Sequence, residues 1–190
     1  MGKTYSVISE EQKAWIAKQR IFFVATAPMS ATGHINCSPK GGDTGRVLDG
    51  STFAYADLTG SGIETTAHLR ENGRIVVMFC AFEGPPKIVR LHGTGAVVYL
   101  HEEAFGPLVS RFPDVPGIRA IITVKVSRVS DSCGFSVPFF DFVEERDGLS
   151  LWSDKKGEEG LAAYRAEKNR LSIDSLPGYV VPEPSSEKTD

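Results

Sequence analysis

Apolar and polar side chains alternate along most of this chain in a way that predicts short strands rather than long helices. Clusters rich in Gly, Pro and Ser separate the apolar runs, and most links between runs are short enough for hairpins. The predicted strands lie at residues 21–27, 34–38, 53–57, 74–82, 87–100, 120–129, 136–143 and 148–152. The pattern indicates a mainly β (α+β) chain and favours an antiparallel β-barrel with peripheral helices over a helix bundle.

Two capping-box patterns predict where the first helices begin. Ser9 with Gln12 opens a helix that ends near residue 20, and Ser61 with Glu64 opens a helix at about residues 62–71. Further helices are predicted at residues 101–111 and 156–170.

The length of 190 residues fits a single domain at residues 1–181. Within it, a helix and loop extension is expected from about residue 153, and residues 182–190 form a polar tail that should be flexible. The net charge of −3 and the absence of any basic run argue against a nucleic-acid-binding surface. No apolar stretch approaches the length that spans a membrane.

Cysteine use and the N-terminal residues point to a cytoplasmic protein. Cys37, Cys80 and Cys133 are odd in number and far apart, which argues against a disulfide framework or a metal site. Each is expected to be a reduced, small apolar side chain in the core. The polar N-terminus lacks the apolar segment of a signal peptide.

The segment Thr59-Gly60-Ser61-Gly62 follows an apolar strand and precedes a predicted helix. A helix N-terminus behind a Gly-rich turn is a natural anion site, because unpaired N–H groups and the helix dipole point to the same place. The same pattern also describes an ordinary capped helix that binds nothing. Glu64 adds negative charge there, so a phosphate would need a Lys or Arg side chain from elsewhere.

Lys40, in a loop broken by Gly and Pro, is either such a cation or a solvated loop residue. Asn36 and Ser38 alternate with apolar residues, so they share one strand face and could reach the edge of a ligand. Arg90 and His92 also share a strand face, which points outward if Leu91 lies in the core. An outward Arg and His are either solvated or in contact with a ligand between two subunits.

The order and spacing of the motifs resemble the pyridoxamine 5′-phosphate oxidase-like, FMN-binding split-barrel family. The matching segments are residues 23–28, 33–41, 57–79, 86–95, 132–138 and 168–178. The resemblance implies a small antiparallel split barrel that forms a homodimer, with FMN in clefts between the subunits and its phosphate near residues 59–66. The candidate cofactor-binding residues are Asn36, Ser38, Lys40, Thr59, Gly60, Ser61, Gly62, Thr65, Arg90 and His92.

The chain departs from that family in two motifs. The start of the helix after the Gly-rich turn carries Thr and Glu in place of the Arg/Lys motif that the family uses for the flavin phosphate. Residues 172–178 offer no counterpart of the Trp, Arg and His cluster that the family uses for its substrate. A substrate other than pyridoxamine phosphate is therefore expected.

Three functions remain open at this point. The first is a flavin-dependent oxidoreductase acting on an unidentified small molecule, in which the cofactor carries the chemistry. The second is a non-catalytic binder of flavin or of another flat cofactor, such as haem or a deazaflavin. The third is a dimeric barrel that has lost its ligand.

Overall fold

A computed structural model describes residues 2–179. Eight strands and four helices occur in this part of the chain. In chain order they are β1 (Thr4–Tyr5), α1 (Glu10–Ile16), β2 (Phe22–Thr26), β3 (Asn36–Lys40), β4 (Gly45–Asp49), β5 (Thr52–Leu58), α2 (Glu64–Glu71), β6 (Arg74–Cys80), β7 (Ile88–Tyr99), α3 (Phe105–Val109), β8 (Ile118–Ser132) and α4 (Gly148–Lys168).

The strands form one antiparallel sheet in the order β3-β2-β6-β7-β8-β5-β4, and β1 adds to β8. The sheet curls so that a side chain of β3 meets one of β5, where Lys40 Nζ lies 2.9 Å from Asp57 Oδ1. Side chains rather than backbone hydrogen bonds close the sheet at this place. The molecule is therefore an antiparallel split barrel with peripheral helices, as the sequence predicts.

The barrel interior is filled by the inward-facing residues of each strand. Val89 and Leu91 of β7 are fully buried, while Arg90 between them is half-buried on the outer face. Four aromatic rings pack with centroids 5.6 or 5.7 Å apart, as edge-to-face or tilted pairs, which suits aromatic quadrupoles. They belong to Phe22, Phe53, Tyr55 and Phe79.

Several sequence-based boundaries are wrong, and each error has a local cause. Residues 136–143 form no strand, and residues 148–152 begin α4. The alternating run at 148–152 suits a strand, but in the helix Lys156 lies one turn after Trp152 and its Nζ packs over that ring. Gly157, with φ +66°, kinks α4. β3 continues through Pro39 because an edge strand tolerates proline.

Only one of the two predicted capping boxes forms. Gln12 N donates to Ser9 Oγ and Ser9 N donates to Gln12 Oε1, at 3.1 and 2.9 Å. Helix α2 instead begins after Ile63, with no side-chain cap. The Glu64 carboxylate turns away from Ser61 and accepts a hydrogen bond from Ile173 N at 3.3 Å, because residues after α4 pack against this helix start.

Among residues 2–179, no helix is both long enough and apolar enough to cross a membrane.

Candidate functional site

A polar seam runs along the opening of the barrel, between β3 and the β5–α2 segment. Asn36 Nδ2 donates to Thr65 Oγ1, and Lys40 Nζ donates to Asp57 Oδ1, both at 2.9 Å. Ser38 lies between Asn36 and Lys40 on the same half-buried side of β3, whereas Cys37 and Pro39 are exposed. The strand alternation thus places three of the predicted residues along one edge of the opening.

Asp57 is the anionic centre of this seam. Its two carboxylate oxygens accept hydrogen bonds from Lys40 Nζ at 2.9 Å and from Arg119 Nε at 2.8 Å. Burial alone would raise the pKa of Asp57, but the charges and hydrogen bonds of Lys40 and Arg119 outweigh it and lower the pKa to about 2. Lys40 is therefore a structural ion-pair partner as well as a candidate cation.

The Gly-rich turn after β5 is held by its carbonyl groups. Arg119 Nη1 and Nη2 donate to the carbonyl oxygens of Gly60 and Gly62 at 3.2 and 2.8 Å. Asn169 Nδ2 donates to the carbonyl oxygens of Gly60 and Ser61 at 2.8 and 3.3 Å. In a trans peptide the C=O and the following N–H point in opposite directions. The N–H groups of Ser61, Gly62 and Ile63 therefore point away from Arg119 and Asn169.

Basic side chains outnumber acidic ones on the buried side of the Gly-rich turn, the side to which its carbonyl groups point. Arg165 is buried, its Nη1 donates to Thr59 Oγ1 at 3.3 Å, and its Nε has no hydrogen-bond partner within residues 2–179. Lys40 and Arg119 thus share the buried carboxylate of Asp57, and Arg165 adds a third cation, buried beside Thr59, without an ion pair of its own among residues 2–179. Buried charge without a counter-ion is costly, so this end of the barrel favours an anion.

Glu64 opposes an anion at one end of the turn. Its carboxylate is so close to Gly62 that a Cβ added to Gly62 would stand 2.7 Å from Glu64 Oε2. Gly62 is thus the residue that leaves room for this carboxylate. Glu64 therefore opposes an anion most strongly at the Gly62 end of the turn and least at Thr59.

Two predicted residues lie apart from the seam. Arg90 and His92 occupy the outer face of β7, three strands from β3 in the sheet order. Arg90 Nη1 donates to Ser132 Oγ at 3.2 Å, and His92 is paired across the sheet with Arg128. Partial burial and then the neighbouring Arg128 and Arg90 lower the pKa of His92. Within one chain the candidates therefore form two groups.

Sequence reasoning missed the residues that organise the seam. The sequence pattern marks Asp57 only as the end of a strand, and the predicted site does not include Arg119, Arg165 or Asn169. The sequence does hint at a role for Arg119, because a basic residue near the start of the otherwise apolar run 118–122 needs a buried partner. No local pattern marks Arg165 or Asn169, because their partners lie about a hundred residues earlier in the chain.

A large cleft of about 1950 Å³ adjoins the seam. Lys40 and Leu58 form part of its wall, and the aromatic residues Trp15, Phe82, Phe140 and Phe142 line it further out. Single small-molecule pockets commonly measure about 300–1,000 Å³, so this cleft has room for a flat cofactor together with a second small molecule.

The three cysteines are free thiols in the structure. Cys80 is buried as predicted, but Cys37 and Cys133 are exposed, so the prediction of a core position is wrong for both. Cys37 lies on the outward side of edge strand β3, and Cys133 follows the end of β8, where no second layer covers it.

Comparisons with known proteins agree with this architecture. The profile of a family described as pyridoxamine 5′-phosphate oxidase matches residues 8–133. The chain is 38% identical over 191 residues to the pyridoxamine 5′-phosphate oxidase family protein ustO of Aspergillus flavus, covering 92% of this chain and 76% of the relative. Two crystal structures of Group A Streptococcus HupZ are similar at 26% and 27% identity, with TM-scores of 0.53 and 0.51. They cover 66% and 64% of this chain and 99% and 91% of their own.

The ion pairs of Asp57 predict how the free energy of unfolding depends on pH. Because the pKa of Asp57 is lowered from 3.8 to about 2, its contribution is complete above pH 4 and is lost as the pH falls through 2. That contribution is roughly 2 kcal/mol, at about 1.4 kcal/mol per pKa unit. Asp57→Asn should lack this acid-dependent portion, and at pH 7 it should lower the free energy of unfolding by about 3–5 kcal/mol because Lys40 and Arg119 lose their counter-ion.

Urea unfolding followed between pH 2 and 7 measures both effects. The control is Asp43→Asn, which removes an exposed ion pair with Arg46 and should cost less than about 1 kcal/mol. Equal losses in the two variants would contradict the assignment of Asp57 as the anchor of the seam.

Proposed function

Because the chain belongs to the pyridoxamine 5′-phosphate oxidase family, we propose that it binds FMN and serves as a flavin-dependent oxidoreductase for a small molecule. The observation that carries this proposal is the Gly-rich turn, whose carbonyl groups are tied back to Arg119 and Asn169. The family profile covers residues 8–133 and therefore includes this turn and strands β2 to β8.

The turn suits the phosphate of FMN. The N–H groups of Ser61, Gly62 and Ile63 face away from the buried side chains and would donate to phosphate oxygens. Lys40, Arg119 and Arg165 add positive potential from behind, which offsets part of the repulsion from Glu64. Thr59, Gly60 and Thr65 flank the same place and belong to the proposed site.

The cleft beside the seam suits the rest of the cofactor and a substrate. Lys40 offers a charged group in its wall, Asn36 and Ser38 lie on the same side of β3 as Lys40, and the aromatic wall would limit the access of water. When bound, the isoalloxazine ring supplies the redox chemistry. We propose a substrate other than pyridoxamine phosphate, because residues 172–178 lack the Trp, Arg and His cluster that serves that substrate in the family.

A second candidate is a non-catalytic binder of FMN or of another flat cofactor, such as haem or a deazaflavin. One observation favours it: the ionisable groups of the seam are held in ion pairs or deeply buried. Asp57 is paired with two cations, and burial raises the pKa of Tyr55 well above its usual range. Neither group is suited to move a proton near neutral pH.

We further propose that the active form is a cytoplasmic homodimer, with Arg90 and His92 contributing to the cofactor cleft from the outer face of β7. An arm that connects β8 to α4, residues 133–147, carries large apolar side chains that are 42–86% exposed. They are Phe135, Phe139, Phe140, Phe142 and Val143. Exposed apolar surface of this extent on a monomer is typical of an interface, and a second copy would cover it symmetrically.

Light scattering should find a dimer at micromolar concentration. Replacing Phe139 and Val143 together by Ser should shift the protein toward monomer, because both are among the most exposed apolar residues of the arm. Met29→Ser is the matched control, since Met29 is 66% exposed but lies in the loop between β2 and β3. A wild-type monomer, or the same dissociation in both variants, would refute the proposed interface.

The phosphate site predicts opposite effects of two charge changes. Ser61→Asp should weaken FMN binding at least about tenfold, because a carboxylate repels the phosphate. Glu64→Gln should strengthen FMN binding severalfold, because it removes the charge beside Gly62. Riboflavin has no phosphate, so its affinity should change little in either variant.

Titration of both ligands into the wild type and the two variants, followed by flavin fluorescence, measures the six dissociation constants. Equal effects on FMN and riboflavin, or no effect on either, would place the phosphate elsewhere.

A further inference from the structure

The C-terminal extension, residues 134–179 beyond the family profile, reaches back to the Gly-rich turn. The family profile ends at residue 133, and the similar HupZ structures cover only about two thirds of this chain. The alignment with ustO omits just 8% of the chain, too little to leave out all of residues 134–179. At least part of the extension therefore has a counterpart in ustO, but the extension lies outside the barrel that the family profile covers.

Asn169, which ends α4, is the point of contact. Its side chain is fully buried, and it donates to the carbonyl oxygens of Gly60 and Ser61 while its Oδ1 accepts from Arg119 Nη1 at 2.9 Å. Its backbone is fixed as well, since its N–H donates to Arg165 O and its carbonyl accepts from Tyr179 N. The amide can therefore neither rotate nor withdraw without breaking several hydrogen bonds.

The turn depends on such an external tether. Gly60 has open space around its Cα, with no atom within 4 Å of an added Cβ, so packing does not fix its peptide planes. Glycine peptides rotate easily, and a rotated peptide would point its carbonyl at the proposed phosphate. Asn169 holds the 60–61 and 61–62 peptides in the orientation that presents N–H groups instead.

Other contacts brace the same end of α2. Ile173 N donates to Glu64 Oε1, and Gly178 packs so tightly on Ile63 that a Cβ there would stand 2.5 Å from Ile63 Cγ1. Asp174 accepts hydrogen bonds from the backbone and the ring of His34, at 2.8 and 2.6 Å, which anchors the loop after α4.

We propose that Asn169 is a positioning residue of the cofactor site: the C-terminal extension holds the Gly-rich turn in its anion-binding orientation through this side chain. This inference rests on the proposed function, because it assigns to Asn169 the control of phosphate affinity. It adds an element to the site that the common barrel does not supply.

Two variants at position 169 test the tether. Asn169→Asp keeps the shape and the acceptor for Arg119 but replaces the amide donor by a carboxylate oxygen. Asn169→Ala removes the tether without adding charge. Both should weaken FMN binding at least about fivefold and leave riboflavin binding within about twofold, so that the preference for FMN falls.

The control is Asn72→Ala, which removes side-chain contacts to Ala27 O and Arg74 N at the other end of α2. It should lower the melting temperature but leave the FMN preference unchanged.

Amide chemical shifts of the ligand-free protein, measured by NMR, give a readout that does not depend on flavin. The amide resonances of residues 60–63 should shift in Asn169→Ala relative to the wild type, whereas Asn72→Ala should leave them unchanged. Unchanged chemical shifts together with an unchanged FMN preference would overturn the role of Asn169. A wild-type protein that binds neither flavin would overturn the proposed function, while the chemical shifts would still decide whether Asn169 holds the turn.

Discussion

The buried carboxylate of Asp57 is the interaction on which the rest of the site depends. It joins Lys40 of β3 to Arg119 of β8, and Arg119 in turn holds the carbonyl groups of Gly60 and Gly62. One anion thus closes the split in the barrel and orients the turn that follows its own strand. The arrangement is stable because each cation also makes further contacts and the carboxylate is hydrogen-bonded at both oxygens.

This network explains how a chain without the family's Arg/Lys motif can still favour an anion near α2. The positive charge comes from side chains that lie behind the turn rather than from residues at the start of the helix. Arg119 belongs to the barrel, whereas Arg165 lies in α4 and Asn169 directly follows it. The C-terminal extension therefore contributes side chains to the proposed site.

The sequence predicts the barrel well because apolar and polar residues alternate along most of its strands, and Gly- and Pro-rich turns separate them. It fails where a short local pattern suits two structures: residues 148–152 alternate like a strand, yet they form the start of α4. Ser61 and Glu64 match a capping box, yet Glu64 bonds to Ile173 N, more than a hundred residues away. Local patterns carry no information on such distant partners, and the same reason hides Arg165 and Asn169.

The absorption spectrum of the purified protein after incubation with FMN and removal of free ligand tests the central claim most directly. We expect flavin bands that remain with the protein at about one FMN per chain, whereas the same treatment with riboflavin in place of FMN should leave far weaker bands. A Soret band, or a colourless protein after the same treatment, would contradict it.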